Sequence, residues 1–169
     1  MINCIEAKFG MHLGVVGGYY FSRMKNHLGY YIGLTGRKVN GPEWIHCGAA
    51  DYFVKRENLK KLEEEIIRRT GSGTGLEDIQ GIVKKYQEPC GEGFKNEELI
   101  NEIFGKESLE EIYHELERRS KDSDFARETL ELLSLSSPFS LKVNFEQMKR
   151  GKELSFEENL KMNMRVTNR

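Results

Sequence analysis

Few of the residues that build metal centres and disulfides occur in this sequence. Its 169 residues include three cysteines and four histidines. Cys4, Cys47 and Cys90 lie far apart, and no CxxC pair or Cys/His cluster brings metal ligands together. An odd number of widely spaced cysteines is typical of reduced thiols. The pattern therefore predicts a reducing compartment and no metal site.

Long apolar runs and an excess of one charge are also lacking. No stretch approaches the roughly 18 to 20 apolar residues of a membrane span, so we expect no membrane association. The first residues resemble neither a secretory signal nor an Arg- and Ser-rich mitochondrial presequence. The 26 Lys and Arg residues balance 27 Asp and Glu residues, which argues against an electrostatic grip on nucleic acid. Any contact with RNA is expected to be indirect or peripheral.

The residues that are present change in character near residue 55. The pattern of residues 1–55 predicts a compact α/β segment. We expect strands at Ile2–Phe9 and Asp51–Val54 and short helices between them. Residues 56–169 show only charged, amphipathic helices. We therefore predict an α/β fold class, in which residues 1–55 form the end of an α/β core and residues 56–169 form a helical region.

Several helix starts are marked by capping residues. Ser or Thr followed three residues later by Glu predicts capping boxes, and Ser137 before Pro138 predicts a further N-terminus. The run GSGTG at residues 71–75 is favoured as a flexible linker over a phosphate-binding loop, because no Lys-Ser or Lys-Thr follows it. The capping boxes are Thr74 with Glu77, Ser108 with Glu111, and Ser155 with Glu158.

The two predicted strands raise a problem of burial. Two short strands do not form a stable sheet alone, and their edges would stay open. Residues 1–54 are therefore interpreted as the last turn of a larger α/β unit whose other strands belong elsewhere. We expect a partner chain to supply them.

A candidate site lies in the first strand and turn. Glu6 sits among apolar residues and precedes a glycine-rich loop. A carboxylate in an apolar pocket has a raised pKa and serves as a general acid or base; the alternative is a structural carboxylate that caps the loop. His12 is the only other polar group of the loop suited to proton transfer, and its spacing favours a packing or surface role. The backbone of Gly17 and Gly18 suits either anion binding or close helix packing.

The stretch from Glu6 to Val54 resembles the crotonase (enoyl-CoA hydratase/isomerase) superfamily, and within it the 3-hydroxyisobutyryl-CoA hydrolases. Those proteins typically read M-P-E-x-x-x-G-x-F-P-D-V-G-G-x-Y-F-L-S-R, then L-G-x-Y-x-G-L-T-G, N-G-x-E and C-G-x-A-D-H-F-V. The matching residues here include Glu6, Gly10, Val15, Gly17, Tyr19, Ser22, Arg23, Leu34, Thr35, Gly36, Asn40, Gly41, Glu43, Cys47, Gly48, Ala50 and Asp51.

The departures from this family pattern bear on activity. Glu6 aligns with one of the family's two catalytic carboxylates, and the position of the second carboxylate is Gly14. The family's N-terminal half, which carries the oxyanion hole and most CoA-binding loops, has no counterpart here. The resemblance thus implies the C-terminal half of a crotonase spiral followed by helices.

Two functions are consistent with this resemblance. The first is a degenerate, non-catalytic hydrolase that serves as a structural subunit of a large mitochondrial assembly, for example the small ribosomal subunit. The second is one half of a split, active 3-hydroxyisobutyryl-CoA hydrolase of valine catabolism, with Glu6 as general acid or base. Other acyl-CoA chemistry and simple CoA binding stay open. No cofactor is expected, and a CoA thioester would be the substrate only of an active enzyme.

Overall fold

The computed structural model describes residues 4–14, 16–70 and 75–168. Within these ranges the chain is built from helices joined by short loops. Two 3₁₀ helices span Glu6–Phe9 and Lys25–His27. The α-helices are α1 Gly17–Ser22, α2 Leu28–Thr35, α3 Gly41–His46, α4 Arg56–Arg69, α5 Leu76–Tyr86, α6 Glu97–Phe104, α7 Leu109–Arg119, α8 Asp124–Ser134, α9 Pro138–Gly151 and α10 Phe156–Thr167.

Most predicted helix ends are confirmed by hydrogen bonds. The Ser108 hydroxyl accepts from the Glu111 amide at 3.2 Å, and Ser137 caps α9 in the same way. Ser155 and Glu158 form a complete capping box, in which each side chain bonds to the other residue's backbone amide. Gly36 ends α2 in the left-handed conformation, with φ of 59°. Local side-chain chemistry therefore sets these boundaries.

Neither predicted strand forms among the described residues, which are mostly helical, so the α/β character predicted for residues 1–55 is not confirmed. Residues 6–9 form a 3₁₀ helix, whose entry and exit are closed by hydrogen bonds from the Lys8 amide to the Ile5 carbonyl and from the Gly10 amide to the Ala7 carbonyl. Residues 51–54 adopt no regular structure. A strand needs a neighbouring strand to satisfy its backbone groups, and neither segment has one among the residues that the structure describes. No β-strand forms anywhere in residues 4–14, 16–70 and 75–168.

Some predictions fall outside the described residues. They concern the first two residues of the predicted Ile2–Phe9 strand, Thr74 of the capping box with Glu77, and most of the linker at residues 71–75. At the start of α5, the Asp78 carboxylate accepts a hydrogen bond from the Gly75 amide at 3.1 Å.

The chain divides into two compact units. One comprises Met1–Asn40 together with Phe94–Arg169, and the other comprises Gly41–Gly93. The first unit thus combines the N-terminal segment with the C-terminal helices. The boundary at residue 55 rests on the change from mixed to purely helical sequence patterns. It stays a prediction.

The core of the first unit forms around α2. All eight residues of α2 are buried, including Leu28, Ile32 and Leu34 with no exposed surface. A helix that is apolar on every side must be surrounded, and α1, α6, α8 and α9 pack around it. Aromatic rings fill the gaps between these helices: Tyr31 contacts Phe104 at a centroid distance of 5.2 Å, and Tyr30 contacts Phe145 at 5.6 Å.

Glycines allow the backbones of three helices to approach closely. A Cβ atom at Gly18 would lie 2.8 Å from the Gln147 carbonyl oxygen, and one at Gly151 would lie 2.6 Å from the Gly18 oxygen. The crossing of α1 and α9 therefore has glycine on both sides. A Cβ at Gly29 would lie only 1.8 Å from the Phe21 carbonyl oxygen, so α2 tolerates no side chain where it meets α1.

Arg23 closes the end of this crossing. Its guanidinium donates hydrogen bonds to the carbonyl oxygens of Gly151 at 2.7 Å, Lys152 at 3.1 Å and Leu154 at 2.7 Å. It also stacks over the Tyr19 ring, 3.8 Å from the centroid. The planar, multi-donor guanidinium suits this bridging role, which a lysine would not reproduce. Arg23 thereby satisfies carbonyls at and just beyond the C-terminus of α9.

The second unit is a smaller helical assembly held by polar contacts. In α4, Glu65 accepts a hydrogen bond from the Tyr86 hydroxyl at 2.6 Å and pairs with Arg69 at 2.9 Å. The Glu88 amide donates to the Phe53 carbonyl at 3.0 Å, and the Glu88 carboxylate pairs with Lys55. These contacts attach the irregular segment after α3 to the end of α5.

Among the described helices, none has both the length and the apolar character that crossing a bilayer requires.

We expect Gly29→Ala to lower the free energy of unfolding by more than about 3 kcal/mol, because its Cβ meets backbone that cannot move aside. Gly81→Ala is the matched control, since Gly81 lies within α5 and a Cβ there meets nothing within 4 Å. The control should be stabilising by roughly 0.5 to 1 kcal/mol. Urea denaturation followed by circular dichroism measures both. Equal effects of the two substitutions would contradict the close packing of α1 and α2.

Candidate functional site

A mostly apolar, open cavity of about 860 Å³ lies in the first unit beside the N-terminal 3₁₀ helix. Its size falls within the range of small-molecule sites. The walls come from the N-terminal segment, from the first turns of α9 and from the end of α10. The lining residues are Glu6, Gly10, Met11, His12, Gly14, Phe139, Ser140, Val143, Val166 and Thr167.

Glu6 is positioned by backbone hydrogen bonds on both sides of the 3₁₀ helix. The Met11 amide donates to the Glu6 carbonyl at 2.9 Å, which folds the glycine-rich loop back over the helix. The Ser137 amide donates to the Ala7 carbonyl at 2.9 Å, which attaches the helix to the start of α9. The Glu6 side chain is half-buried, and its Oε2 atom is buried without a hydrogen-bond partner. Glu6 thus lines the cavity, while its Oε2 atom is covered by protein atoms and remains an unused hydrogen-bond acceptor.

The predicted partner position of Glu6, Gly14, lines the same cavity. Gly14 is exposed and does not adopt a left-handed φ, and a Cβ at this position would meet nothing within 4 Å. The structure therefore places Glu6 and Gly14 at one cavity, and their catalytic assignment stays a prediction. It also leaves room for an acidic side chain at Gly14.

His12 is held in the cavity wall by the C-terminal helices. Its Nδ1 lies 3.1 Å from the Leu13 carbonyl oxygen, and its Nε2 lies 3.1 Å from the Thr167 hydroxyl. Both ring nitrogens are thereby engaged within the protein. This arrangement agrees with the packing role that its sequence context favours.

A set of buried amides fixes the loop that carries His12 and Gly14, and the sequence patterns did not single these residues out. The Leu13 amide donates to Asn144 Oδ1 at 2.8 Å, and Gln147 Nε2 donates to Asn163 Oδ1 at 2.7 Å. The spacing of Asn144 and Gln147 could have indicated this role. The two residues lie three apart among the apolar residues of α9 and therefore share one helix face.

Gly17 and Gly18 serve packing in this structure. Both are buried in the first turn of α1, and Gly18 lies against the α9 backbone. The preceding residue, Val16, is buried in the left-handed conformation with φ of 61°. A β-branched residue in that region is strained by about 1 to 3 kcal/mol. In the family pattern F-P-D-V-G-G a glycine occupies this position, so both Gly14 and Val16 depart from it.

Cys4 lies close enough to Glu6 for their charges to interact. Burial, with a smaller contribution from the Glu6 carboxylate, raises the pKa of the Cys4 thiol to about 12. The thiolate is the nucleophilic form, so Cys4 is inert near neutral pH. No group of three or more His, Cys, Asp and Glu side chains in residues 4–14, 16–70 and 75–168 is placed to hold a metal ion.

Comparison with known proteins identifies the family of this fold and site. The sequence profile of the enoyl-CoA hydratase/isomerase family matches residues 2–169. The chain therefore belongs to the enoyl-CoA hydratase/isomerase family, which confirms the resemblance found from the sequence.

Several relatives are similar over 96% of this chain. The mitochondrial 3-hydroxyisobutyryl-CoA hydrolase of Dictyostelium discoideum is 36% identical over 167 residues, and the human enzyme of that name is 31% identical over 169 residues. Small ribosomal subunit protein mS47 of Arabidopsis thaliana is 30% identical over 166 residues. The chain spans only 43%, 43% and 41% of these relatives' lengths, respectively.

The helical arrangement matches part of a solved structure. A carnitinyl-CoA dehydratase from Mycobacterium thermoresistibile superposes with a TM-score of 0.83 over 95% of this chain and 45% of that chain, at 24% identity. This match shows that the fold is shared. It also shows that the comparison fold extends well beyond the part represented here.

We expect Cys4 to react with iodoacetamide far more slowly than the exposed Cys90, because a thiol of pKa about 12 is ionised to only about one part in 10⁴ at pH 8. Glu6→Gln removes the nearby negative charge and should speed Cys4 alkylation, while Cys90 serves as the internal reference. Peptide mass spectrometry measures both rates. An unchanged Cys4 rate in Glu6→Gln would contradict the electrostatic contact.

Proposed function

We propose that this chain is a non-catalytic member of its family that serves as a structural subunit of a larger mitochondrial assembly. The observation that carries the proposal is the glycine at position 14. Among the described residues that line the cavity, Glu6 is the only carboxylate. The family's two-carboxylate site would thus be reduced to one acid.

The magnitude of this loss favours the structural role. General acid or base assistance contributes roughly 10² to 10⁴-fold to a rate, and each oxyanion-hole donor contributes roughly 10² to 10³-fold. The first contribution is weakened by Gly14. The resemblance places the second contribution outside the part of the family fold that this sequence matches.

A partner chain that completes the fold is part of this proposal. Apolar side chains around the cavity are exposed, with Phe139 at 78% and Met11 at 52%. Exposed apolar patches of this kind mark interaction sites. The expectation of uncovered strand edges does not support the partner, because neither predicted strand forms among the described residues. The exposed apolar side chains support it instead.

The assembly we favour is mitochondrial and ribosomal. Relatives at 31% to 36% identity are named as mitochondrial hydrolases, and one at 30% identity is named as a small ribosomal subunit protein. With 26 basic and 27 acidic residues in the chain, we infer a peripheral position with protein neighbours rather than a main contact with RNA.

The second candidate is one half of a split 3-hydroxyisobutyryl-CoA hydrolase. The position of Glu6 favours it, because Glu6 lines a cavity of ligand size. In that case a partner chain would supply the oxyanion hole and the CoA contacts. Glu6 would then act alone as general acid or base at the thioester.

Purified with the chains that accompany it, the protein should hydrolyse 3-hydroxyisobutyryl-CoA no faster than buffer, since the second carboxylate is missing. Release of free CoA, followed with a thiol reagent, measures the rate. Gly14→Asp is an informative control because the site has room for the side chain. Turnover that is lost in Glu6→Gln would overturn the structural role and support the split hydrolase. A higher rate of hydrolysis in Gly14→Asp would show that an accompanying chain supplies the remaining catalytic groups.

In a density gradient of gently lysed mitochondria from the source cells, we expect the chain to sediment with the small ribosomal subunit. A mitochondrial matrix enzyme of similar mass is the reference for free protein. Dissociating the ribosome into subunits with EDTA should leave the chain in the small-subunit fractions. Sedimentation with the free reference instead would contradict the ribosomal assignment.

A further inference from the structure

One side chain sets the charge of the cavity beside the N-terminal 3₁₀ helix. Among the described residues that line it, Glu6 is the only acid, and neither lysine nor arginine is present. His12 also lines the cavity, but its two ring nitrogens lie 3.1 Å from the Leu13 carbonyl oxygen and 3.1 Å from the Thr167 hydroxyl. A ligand in the cavity would therefore meet a carboxylate that no lysine or arginine of the described lining neutralises.

The walls around this carboxylate are mostly apolar. Val143 of α9 and Val166 of α10 are half-buried and line the cavity from two helices. Phe139 and Met11 line it as well and are 78% and 52% exposed, which places them at its rim. Contact with these side chains removes apolar ligand surface from water, which is favourable. The cavity therefore suits the hydrocarbon part of a small molecule.

Hydrogen bonds hold the α10 wall in place before any ligand binds. Asn159 Nδ2 donates to the carbonyl oxygens of Gly151 at 3.1 Å and Leu154 at 3.3 Å. Asn163 Oδ1 accepts from Gln147 Nε2 at 2.7 Å. Both asparagines are buried. A cavity whose walls are already fixed costs a ligand little in protein ordering, which favours the binding of a small molecule.

The Glu6 carboxylate selects among ligands by charge. An uncharged apolar ligand would take water away from Glu6 and offer nothing in return, which is unfavourable for a charged group. A ligand carboxylate in the same cavity would be repelled. An ammonium group would be attracted, and its three N–H donors are suited to a carboxylate acceptor. For one and the same hydrocarbon, the expected order of affinity is thus ammonium, then alcohol, then carboxylate.

We propose that the cavity beside Glu6 binds a small primary amine with an apolar body. The ammonium group pairs with the Glu6 carboxylate, and the hydrocarbon packs against Val143 and Val166. This ligand is cationic, whereas an acyl-CoA thioester is anionic. The inference rests on the proposed function in one respect, because an active hydrolase would reserve the cavity for its thioester substrate.

Isothermal titration calorimetry of the full 169-residue chain tests this selectivity with three probes that share one hydrocarbon: hexylamine, hexan-1-ol and hexanoate. Near neutral pH the amine is protonated and hexanoate is ionised. We expect hexylammonium to bind at least about threefold more tightly than hexan-1-ol, and hexanoate to bind more weakly than the alcohol. Equal affinities, tighter binding of hexanoate or no binding of hexylammonium would overturn the proposal.

Removal of the acid tests the role of Glu6. Glu6→Gln keeps the size of the side chain and should weaken hexylammonium binding by roughly threefold to tenfold, while the affinity for hexan-1-ol changes by less than about twofold. Glu146→Gln is the matched control, because Glu146 lies on α9, pairs with Arg150 at 3.5 Å and does not line this cavity. Circular dichroism confirms that both variants keep their helical content. Equal effects of the two substitutions on amine binding would contradict the assignment.

Addition of a second acid tests the same charge in the opposite direction. Gly14 lines the cavity, and a Cβ at this position would meet nothing within 4 Å. Gly14→Asp should therefore tighten hexylammonium binding by roughly threefold and weaken hexanoate binding. Unchanged or weaker binding of the amine in this variant would overturn the charge argument.

Nuclear magnetic resonance locates the bound amine without relying on affinity. Hexylamine should shift the backbone amide signals of Gly10, Met11 and Val143, which line the cavity, and leave the signal of Gly81 in the other unit in place. Shifts confined to residues outside the cavity would overturn the proposed site. These measurements use no thioester, whereas the proposed function is tested by thioester hydrolysis, so the failure of one proposal is distinguishable from the failure of the other.

Discussion

The close crossing of α1 and α9 is the contact on which the first unit depends. Gly18 and Gly151 bring the two backbones together, and Arg23 binds the carbonyls that the end of α9 leaves open. Because α9 is held in this position, α2 can be enclosed, and the loop of His12 and Gly14 can rest on the amides of α9. The packing of α2 and the geometry of the site therefore both depend on the α1–α9 crossing. A side chain at Gly18 or Gly151 would disturb both.

The helices were predictable because their ends depend on hydrogen bonds between neighbouring residues. The strands were not, because a strand depends on a neighbouring strand that the described residues do not supply. Ser108, Ser137 and Ser155 cap the helices that their spacing predicts, since these hydrogen bonds involve only neighbouring residues. Residues 6–9 and 51–54 carry strand-like patterns, but a strand is completed by its neighbour across the sheet. Without that neighbour, the first segment closes local hydrogen bonds and the second stays irregular.

The family pattern singles out the candidate site positions but not the residues that support them. Glu6 and Gly14 follow from the family pattern, and the structure places both at one cavity. The sequence patterns do not single out the amides of Asn144, Gln147 and Asn163, because buried amides resemble ordinary surface residues until a three-dimensional contact buries them. Their role is long-range: Asn144 holds Leu13 from 131 residues away in sequence.

The amide contacts that hold α10 also determine how its attachment responds to temperature. Burial of apolar surface gives a large heat-capacity change, whereas burial of polar surface gives a change of opposite sign. Asn159 and Asn163 are the buried residues of α10, while Met162 and Val166 are half-buried. The enthalpy of releasing this helix alone should therefore depend less on temperature than the enthalpy of releasing a helix with an apolar inner face, and the attachment of α10 should weaken less on cooling. In the cold, α10 would stay attached while contacts built from apolar surface lose strength.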